Sequence, residues 1–356
     1  MNTKKIKIGL LFGGSSAEHE VSLISASSIY RNLDKNRYDI ISIFINKQGQ
    51  WRIVNSPQLP PRSLNQGQFS PFLPWRRDTL PEDTEADLYF PVLHGPCGED
   101  GTIQGLFEMA DVPYVGAAVL ASAVGMDKAV AKTLFRHKSL PVVKHLILLE
   151  SDWEKDRQFH LSRIENEFQT PYFVKPANLG SSVGITKVKD QARCRQAIEE
   201  AFLYDRKILV EEGIQGRELE CSVLGNDDPR ASLPGELIPF REFYDYKDKY
   251  IEGKTSFVIP AKLPLPVVEE IQRISVQAFK TIDCSGMARV DFFWEEKTNK
   301  LFLSEINTIP GFTEISMYPK LWEVSGIPFP QLLDTLIELG FERHRQKKRT
   351  WKTFTP

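Results

Sequence analysis

The sequence predicts a fold of mixed α/β and α+β structure with more than one domain. The chain has 356 residues; before residue 126 apolar strand-like runs alternate with helical patterns, and after Pro141 shorter strands dominate. A chain of this length can form two or three domains with separate hydrophobic cores. We expect domains at residues 1–126, 127–225 and 226–356.

The N-terminal region has the alternation that is typical of a doubly wound parallel sheet. Residues 6–13 form a continuous apolar run, as expected for a strand buried on both faces. Residues 57–81 interrupt the pattern and hold six of the 23 prolines, so we interpret them as a surface insertion. The other elements are predicted at 21–33 (helix), 40–45 and 87–93 (strands), 102–110 (helix) and 113–115 (strand).

After residue 126 the pattern indicates α+β structure rather than a regular Rossmann alternation. Asp127 is the predicted N-cap of a helix at 127–137. Further helices are predicted at 265–281, after a proline-rich lead-in, and near 328–340. Strands are predicted at 143–149, 171–175, 184–188, 207–211 and 218–224, around helices near 156–168 and 190–203.

Composition and charge exclude several classes of function. The net charge of −2 argues against a general binder of nucleic acid or membrane surfaces, and no apolar run is long enough to span a bilayer. The four cysteines are scattered without a CxxC pair, which fits a reducing compartment and argues against a zinc site. The basic residues 344–352 are expected to form a solvated end.

The strongest chemical pattern lies at 286–311, where two strand-like runs are joined by a polar turn. Side chains two apart on a strand share a face, so Arg289 and Asp291 point the same way, as do Glu305 and Asn307. If the runs pair as a hairpin, three oxygen ligands and a guanidinium converge. Such oxygens suit Mg²⁺ when a triphosphate completes its shell, and the arginine suits phosphoryl transfer. The alternative is a hairpin with a solvated acidic face.

A second pattern is a glycine- and serine-rich loop that follows a predicted strand. Lys175 ends the strand, and Gly180, Ser181, Ser182 and Gly184 follow it. Small residues let backbone N–H groups approach an anion closely, and the hydroxyls and the lysine add donors and charge. The pattern therefore predicts a phosphate site, although a plain hairpin turn explains glycine and serine equally well.

Two more groups of polar residues follow predicted strands. Glu211, Glu212 and Glu218 are candidates for contacts with a ribose or an adenine amino group, and exposed strand-end charge is the alternative. His94 opens the loop HGPCGEDGTIQG after a strand, at the edge of the sheet where ligands gather in α/β proteins.

The first strand-to-helix turn and a later loop complete the candidate site. The turn lacks GxGxxG, and its acidic Glu18 suits an ammonium group rather than a pyrophosphate. Residues 243–256 are polar, aromatic and without periodicity, which favours a loop. Lys249 and Tyr250 make this loop a candidate lid, and an ordinary surface excursion is the alternative.

Taken together, these segments resemble the D-alanine–D-alanine ligases of the ATP-grasp superfamily, in order and spacing, from about residue 6 to 340. The most specific matches are HGPCGEDGTIQG and the string from Gly286 to Gly311, with SAEHEVS, MDK and GSSVG in support. The resemblance implies an ATP-grasp fold of three domains, with D-alanine contacts in the N-terminal one and ATP held between two sheets of the others. It implies ATP-dependent joining of two D-alanines through a D-alanyl phosphate, with two Mg²⁺ or Mn²⁺ ions. It also implies a cytoplasmic homodimer that serves peptidoglycan synthesis.

The resemblance assigns a nucleotide site and a metal site. The metal ligands match Asp291, Glu305 and Asn307, with Glu305 bridging the two ions. Glu212 stands where some members have lysine, so an adenine contact through the backbone is expected there. In the nucleotide site, lysines contact the phosphates and glutamates contact adenine and ribose. The nucleotide positions match Lys128, Lys175, Ser181, Ser182, Glu211, Glu212, Ile214, Glu218 and Lys249.

The resemblance also assigns the amino-acid subsites. Arg289 and the Gly311 N–H match an oxyanion hole, while Glu18 matches the group that holds the first ammonium. In a hydrogen-bonded triad, Ser181 and Tyr250 link the lid to Glu18. Lys249 matches a lysine of the lid that lies near the γ-phosphate in the family. The remaining substrate positions match His94, beside the first D-alanine, and Ser316, at the carboxylate of the second.

Three other functions remain as alternatives at this point. A depsipeptide ligase would use D-lactate as its second substrate, but relatives of that type usually replace the lid tyrosine that Tyr250 matches. Another carboxylate–amine ligase of the same superfamily is a variant of this alternative. A nucleotide-binding regulator would have lost some of the metal ligands and phosphate lysines, which are all present here. A nicotinamide dehydrogenase is suggested only by the first strand-to-helix turn.

Overall fold

A computed structural model describes residues 4–57, 85–181, 183–238 and 256–349. These residues form three sheets, of four, six and four strands. The strands are β1 (Ile6–Gly13), β2 (Tyr38–Ile45), β3 (Trp51–Val54), β4 (Leu88–Val92), β5 (His145–Leu149), β6 (Tyr172–Pro176), β7 (Thr186–Val188), β8 (Lys207–Glu212), β9 (Arg217–Gly225), β10 (Arg230–Ala231), β11 (Gly235–Ile238), β12 (Ser256–Val258), β13 (Gly286–Glu295) and β14 (Lys300–Asn307).

The helices cover the faces of these sheets. No helix among the described residues is long and apolar enough to cross a membrane. The α-helices are α1 (His19–Asn32), α2 (Thr102–Met109), α3 (Val119–Met126), α4 (Lys128–His137), α5 (Glu150–Lys155), α6 (Arg157–Glu167), α7 (Cys194–Phe202), α8 (Leu265–Thr281), α9 (Met317–Val324) and α10 (Phe329–Lys348).

The first sheet has the order β3-β2-β1-β4, with β1 parallel to both β2 and β4. Helices α1 and α10 cover one face and α2 covers the other, which explains the continuous apolar run of β1. The parallel strands with helices on both faces agree with the predicted doubly wound arrangement. The antiparallel edge strand β3 was not predicted, and the predicted strand at 113–115 is a single bridge between Tyr89 and Tyr114.

The second sheet is antiparallel, with the order β5-β8-β6-β7. One of its faces packs on α6 and α7 around residues such as Val174 and Val210. Helix α4 begins where predicted, because the Asp127 carboxylate accepts hydrogen bonds from Ala129 N and Val130 N, both at 3.1 Å. This cap fixes the start of a helix that lies next to the second sheet.

The third sheet has the order β12-β11-β9-β13-β14, with β10 paired to β9. Helix α8 covers its apolar face. Strand β13 alternates, with Val290, Phe292 and Trp294 in the core and the residues between them less buried. Pairing with β14 shifts after Asp291, which lies opposite Glu305, while Phe292 lies opposite Leu303. A β-bulge therefore inserts one extra residue at this point of β14.

Several predicted boundaries are corrected by the structure. The helix predicted near 156–168 is confirmed as α6, but the short helix α5 before it was missed. Asp156 separates the two, because its carboxylate caps α6 by accepting from Phe159 N at 2.9 Å. Helices α3 and α9 were missed. The terminal helix continues to Lys348 rather than ending near 340, so residues 344–348 of the basic segment are helical instead of a loose end. Most of the insertion at 57–81 lies outside the described residues.

Candidate active site

Two clefts meet at the hairpin of β13 and β14. The first, of about 550 Å³, lies between the second and third sheets. The second, of about 560 Å³, lies between the third sheet, the first strand-to-helix turn and the loop after β14. Arg289, Glu220, Leu237 and Glu305 line both clefts, so the two are parts of one continuous site.

The four polar side chains of the hairpin converge as the sequence predicted. Arg289 lies opposite Asn307, and Asp291 lies opposite Glu305. Arg289 Nε and Nη2 donate to the two carboxylate oxygens of Asp291, each at 2.7 Å. Asn307 Nδ2 donates to Asp291 Oδ2 at 3.1 Å. The hairpin thus presents two carboxylates, an amide and a guanidinium on one face.

A further carboxylate, Glu220, contacts the same guanidinium and was missed by the sequence analysis. Its Oε2 lies 3.2 Å from Arg289 Nε, and its residue on β9 pairs with Asp291. Burial disfavours the charged form of Arg289, but Asp291 and Glu220 hold its pKa well above the ordinary value. The sequence could have indicated Glu220, because it lies two residues after the candidate Glu218 and therefore shares its face of the strand.

The oxygen donors of the hairpin fit a hard divalent cation. Asp291 and Glu305 face each other across the strands, and Asn307 lies one pair further along the same face. No group of three His, Cys, Asp or Glu side chains in the described ranges is arranged to hold a metal ion. A metal at this position therefore needs the Asn307 amide and ligand oxygens to complete its shell, which Mg²⁺ accepts when phosphates are present.

Lys128 and Lys175 reach the clefts from different elements. Lys128 begins α4, and its Nζ donates to Leu179 O at 2.7 Å and lies 3.5 Å from Glu305 Oε2. Lys175 projects from β6 and forms an ion pair with Glu211 on β8. Both lysines line the first cleft and place positive charge beside the acidic hairpin.

Glu211 has a second cationic partner, Lys132, which the sequence analysis also missed. Lys132 Nζ lies 2.8 Å from Glu211 Oε1, while Lys175 pairs with the other oxygen. Burial opposes ionisation of the Glu211 carboxyl, but the two ammonium groups lower its pKa to about 2. Lys132 lies one helical turn after Lys128, and this spacing could have indicated that the two lysines share a face of the helix.

The residues predicted to contact adenine and ribose lie along the first cleft. Glu212, Ile214 and Glu218 all line the first cleft, at the end of β8 and the start of β9. The Glu212 side chain is exposed, whereas Glu211 is buried. Ser182, Lys249 and Tyr250 lie outside the described residues, as does all of the candidate lid at 243–256 except Ser256.

Glu18 connects the first turn to the glycine-rich loop in the second cleft. Ser181 Oγ donates a hydrogen bond to the Glu18 carboxylate. A Cβ at Gly180 would lie 3.0 Å from Glu18 Oε2, and one at Gly95 would lie 2.9 Å from it. Ser181 itself has a φ of +49°, in the left-handed region. The close packing of these loops fixes the position of the Glu18 carboxylate.

His94 is buried between helix α1, its own loop after β4 and the loop after β14, at the base of the second cleft. Its Nδ1 lies 3.1 Å from Ile309 O and 3.6 Å from Glu99 Oε1, and its Nε2 lies 3.2 Å from Ser25 Oγ. Burial opposes the imidazolium, but the Glu99 carboxylate outweighs it, so the pKa of His94 is raised. His94 therefore joins the loop after β4 to the loop after β14.

The Gly311 backbone faces a serine hydroxyl in the loop after β14. A Cβ at Gly311 would lie 2.7 Å from Ser316 Oγ, so a side chain here would force that hydroxyl to move. Ser316 Oγ accepts from Thr313 N at 2.9 Å and lies 2.7 Å from Thr313 Oγ1. Gly311 and Ser316 both line the second cleft, beside Arg289.

Comparison with known proteins gives matches along nearly the whole chain. Two family models match, "D-ala D-ala ligase N-terminus" over residues 7–117 and "D-ala D-ala ligase C-terminus" over residues 134–338. D-alanine–D-alanine ligases of Caldicellulosiruptor bescii and Natranaerobius thermophilus are 49% and 47% identical, and the matches cover 97% and 99% of this chain and the same shares of those proteins.

Solved structures agree with this match. The D-alanine–D-alanine ligase from Coxiella burnetii has a TM-score of 0.87 and 41% identity, over 98% of this chain and 97% of that chain. The D-Ala:D-Ser ligase VanG from Enterococcus faecalis has a TM-score of 0.80 and 35% identity, over 95% of this chain and 100% of that chain.

Proposed function

We propose that the two adjoining clefts carry out the reaction of the D-alanine–D-alanine ligase family, to which this chain belongs. The chain is therefore an ATP-dependent ligase that joins two D-alanines for peptidoglycan synthesis. The carboxylate of the first D-alanine attacks the γ-phosphorus of ATP, giving D-alanyl phosphate and ADP. The amine of the second D-alanine then attacks the acyl carbon. Phosphate leaves with the bonding electrons, and the amine loses a proton to give the dipeptide.

The observation that carries this proposal is the shared wall of the two clefts. A nucleotide in the cleft between the sheets would direct its terminal phosphate toward Arg289 and Glu305, which also line the second cleft. A carboxylate held in the second cleft would meet the phosphate at that wall. Holding two reactants in contact in this way accounts for much of the rate of a bimolecular transfer.

The nucleotide would be bound by residues of the first cleft. Lys128 and Lys175 bind phosphate oxygens, and Lys249 approaches the γ-phosphate from the lid. Around the base and sugar, the contacts come from Glu211, Glu212, Ile214 and Glu218, and the backbone at the exposed Glu212 is the expected adenine partner. Ser181 and Ser182 add donors in the glycine-rich loop.

Two Mg²⁺ or Mn²⁺ ions would be held by Asp291, Glu305 and Asn307, with Glu305 bridging them. The oxygen donor set and its convergence on one face support this assignment. Metal ions at this position neutralise the charge that develops on the transferring phosphoryl group. Arg289, buried among Asp291 and Glu220, would supply a fixed positive charge beside them.

The second cleft would hold both amino acids. Glu18 binds the ammonium of the first D-alanine, and its contact with Ser181 supports two members of the triad that Tyr250 would complete. Arg289 and the Gly311 N–H donate to the oxygen that becomes negative in the tetrahedral intermediate. The further substrate contacts are His94, beside the first D-alanine, and Ser316, at the carboxylate of the second.

We further propose three domains with boundaries near residues 126 and 225, ATP between the second and third sheets, and a cytoplasmic homodimer. The two family models leave residues 118–133 between them, and the first proposed boundary falls within this range, which supports it. Cys97, Cys194, Cys221 and Cys284 are all free, as suits a reducing compartment. The homodimer follows from the family resemblance.

Phosphate release from Mg·ATP tests the function directly. The acceptors are D-alanine, L-alanine, and D-alanine with D-lactate or D-serine, and the products are identified by mass. We expect release that depends on D-alanine and yields D-alanyl-D-alanine. A mixed product in competition would instead establish a depsipeptide ligase or a D-serine ligase, the activity named for the Enterococcus faecalis relative. ATP binding without release would contradict ligation of D-alanine.

A further inference from the structure

Lys132 is a buried cation next to the proposed phosphate site, and none of the roles above includes it. Its residue is 1% exposed, compared with 4% for Glu211 and 8% for Lys175. Of the described residues, those that line the first cleft include Glu211 and Lys175 but not Lys132. Lys132 therefore does not contact a ligand in this cleft, and its charge acts on a ligand together with the charges of Glu211 and Lys175.

The three side chains form a buried group with an excess positive charge. Lys132 and Lys175 each contact one oxygen of the Glu211 carboxylate. Two ammonium groups and one carboxylate give a net charge of one positive. Without Lys132 the group would consist of Glu211 and Lys175 alone, a neutral pair in which the lysine is held by the carboxylate.

The arrangement shows how Lys175 can form an ion pair with Glu211 and also bind a phosphate. Glu211 reaches the cleft and is suited to adenine, but as an anion beside Lys175 it would cancel the charge that a phosphate needs. A buried ion pair is retained only when each charge has a partner, and Lys132 is the second partner of Glu211. Burial and the neighbouring Lys175 lower the pKa of Lys132, while Glu211 and, to a smaller extent, Glu305 oppose that shift.

We propose that Lys132 is a positioning residue that neutralises Glu211 and thereby leaves the charge of Lys175 for a polyphosphate. This inference rests on the proposed function in that it takes the first cleft as the nucleotide site. It concerns binding of the phosphates, and not the transfer to D-alanine.

Binding of inorganic tripolyphosphate and of adenosine, measured separately by calorimetry without D-alanine, tests the inference. Lys132→Met keeps the length of the side chain and removes its charge. We expect tripolyphosphate to bind about 10- to 30-fold more weakly, as for one unit charge acting over roughly 8 to 12 Å at an effective dielectric near 20. Adenosine should bind unchanged, because Lys175 still holds Glu211. Lys138→Met, on the exposed end of the same helix, is the matched control.

The double variant Lys132→Met/Glu211→Gln has the net charge of the unaltered group and should recover most of the lost tripolyphosphate affinity. If Lys132→Met alone does not fold, the double variant is compared with Glu211→Gln. The double variant should then bind tripolyphosphate more weakly than Glu211→Gln, by the same factor. Equal losses for adenosine and tripolyphosphate, no loss for tripolyphosphate, or no tripolyphosphate binding by the unaltered chain would overturn the proposal. Failure of the proposed function would appear separately, as absence of D-alanine-dependent phosphate release.

Discussion

Replacing Arg289 with methionine removes the only cation shown to contact both Asp291 and Glu220 among the described residues. The guanidinium donates twice to Asp291 at 2.7 Å and lies 3.2 Å from Glu220. If Arg289 donates to the developing oxyanion, its loss should slow turnover by about 10²–10³-fold, equivalent to about 2.7–4 kcal/mol. The loss also removes this cation from the buried Glu220 and the half-buried Asp291, so unfolding should become easier by up to about 3–5 kcal/mol.

The assay separates these two effects. Turnover is measured by phosphate release at saturating D-alanine and Mg·ATP, ATP binding by calorimetry, and the free energy of unfolding by urea titration. Rates are compared at a temperature where both proteins are folded. Arg273→Met is the control, because its partners among the described residues, Glu270 and Gln277, belong to its own helix and its side chain is 51% exposed. It should change the free energy of unfolding by no more than about 0.5 kcal/mol.

Two results would refute the reasoning for Arg289. A folded variant with a nearly normal rate would show that no transition-state charge depends on this guanidinium. A fall in ATP affinity as large as the fall in rate would show that Arg289 binds the nucleotide in the ground state. In that case the oxyanion would have to be stabilised by other groups.

Three further predictions follow from distances in the site. Ser181→Ala should raise the KM for D-alanine several-fold and the KM for ATP by less, because the serine donates to the Glu18 carboxylate and is one of several proposed donors to the nucleotide; equal changes for both substrates would contradict this. Gly311→Ala should lower kcat/KM at least about tenfold, since a Cβ there would lie 2.7 Å from a serine hydroxyl. Gly105→Ala, where no atom lies within 4 Å, is its control and should keep full activity. Glu211 has its pKa lowered from 4.5 to about 2, so the stability that its ionisation contributes is present above pH 4.5 and lost as the pH falls through about 2. Glu211→Gln should therefore be less stable than the unaltered chain at neutral pH, and urea titrations should show the difference shrinking over that acidic range.

Local signals predicted a large part of the fold. The helix Leu265–Thr281 has the predicted bounds, and Asp127 caps α4 as expected. Helix α3 was missed because its residues are apolar on all sides and show no helical period. Helix α9 was missed because Pro319 lies near its start, where proline is tolerated but obscures the pattern.

The prediction of the site relied on residues that share a face of one strand. The prediction was incomplete for groups that tertiary packing brings together. Arg289 and Asp291 could be paired by the two-residue period of a strand. Helical spacing could place Lys132 on the same face as Lys128, but not against Glu211, because that partner lies on a strand far along the chain. The contact between Ser181 and Glu18 also joins loops that are distant in sequence, and it was predicted only through the family resemblance.

The bulge in β14 makes strand length part of the catalytic site. Counting back from the turn, regular pairing would set Asp291 opposite Ser304 and direct Glu305 to the same side as Leu303, among the residues of the core. Deletion of Ser304 would remove the extra residue, and regular pairing would then set Glu305 directly opposite Asp291, on the same face. An aligned relative with a gap at this position would therefore keep the facing carboxylates on a strand without a bulge.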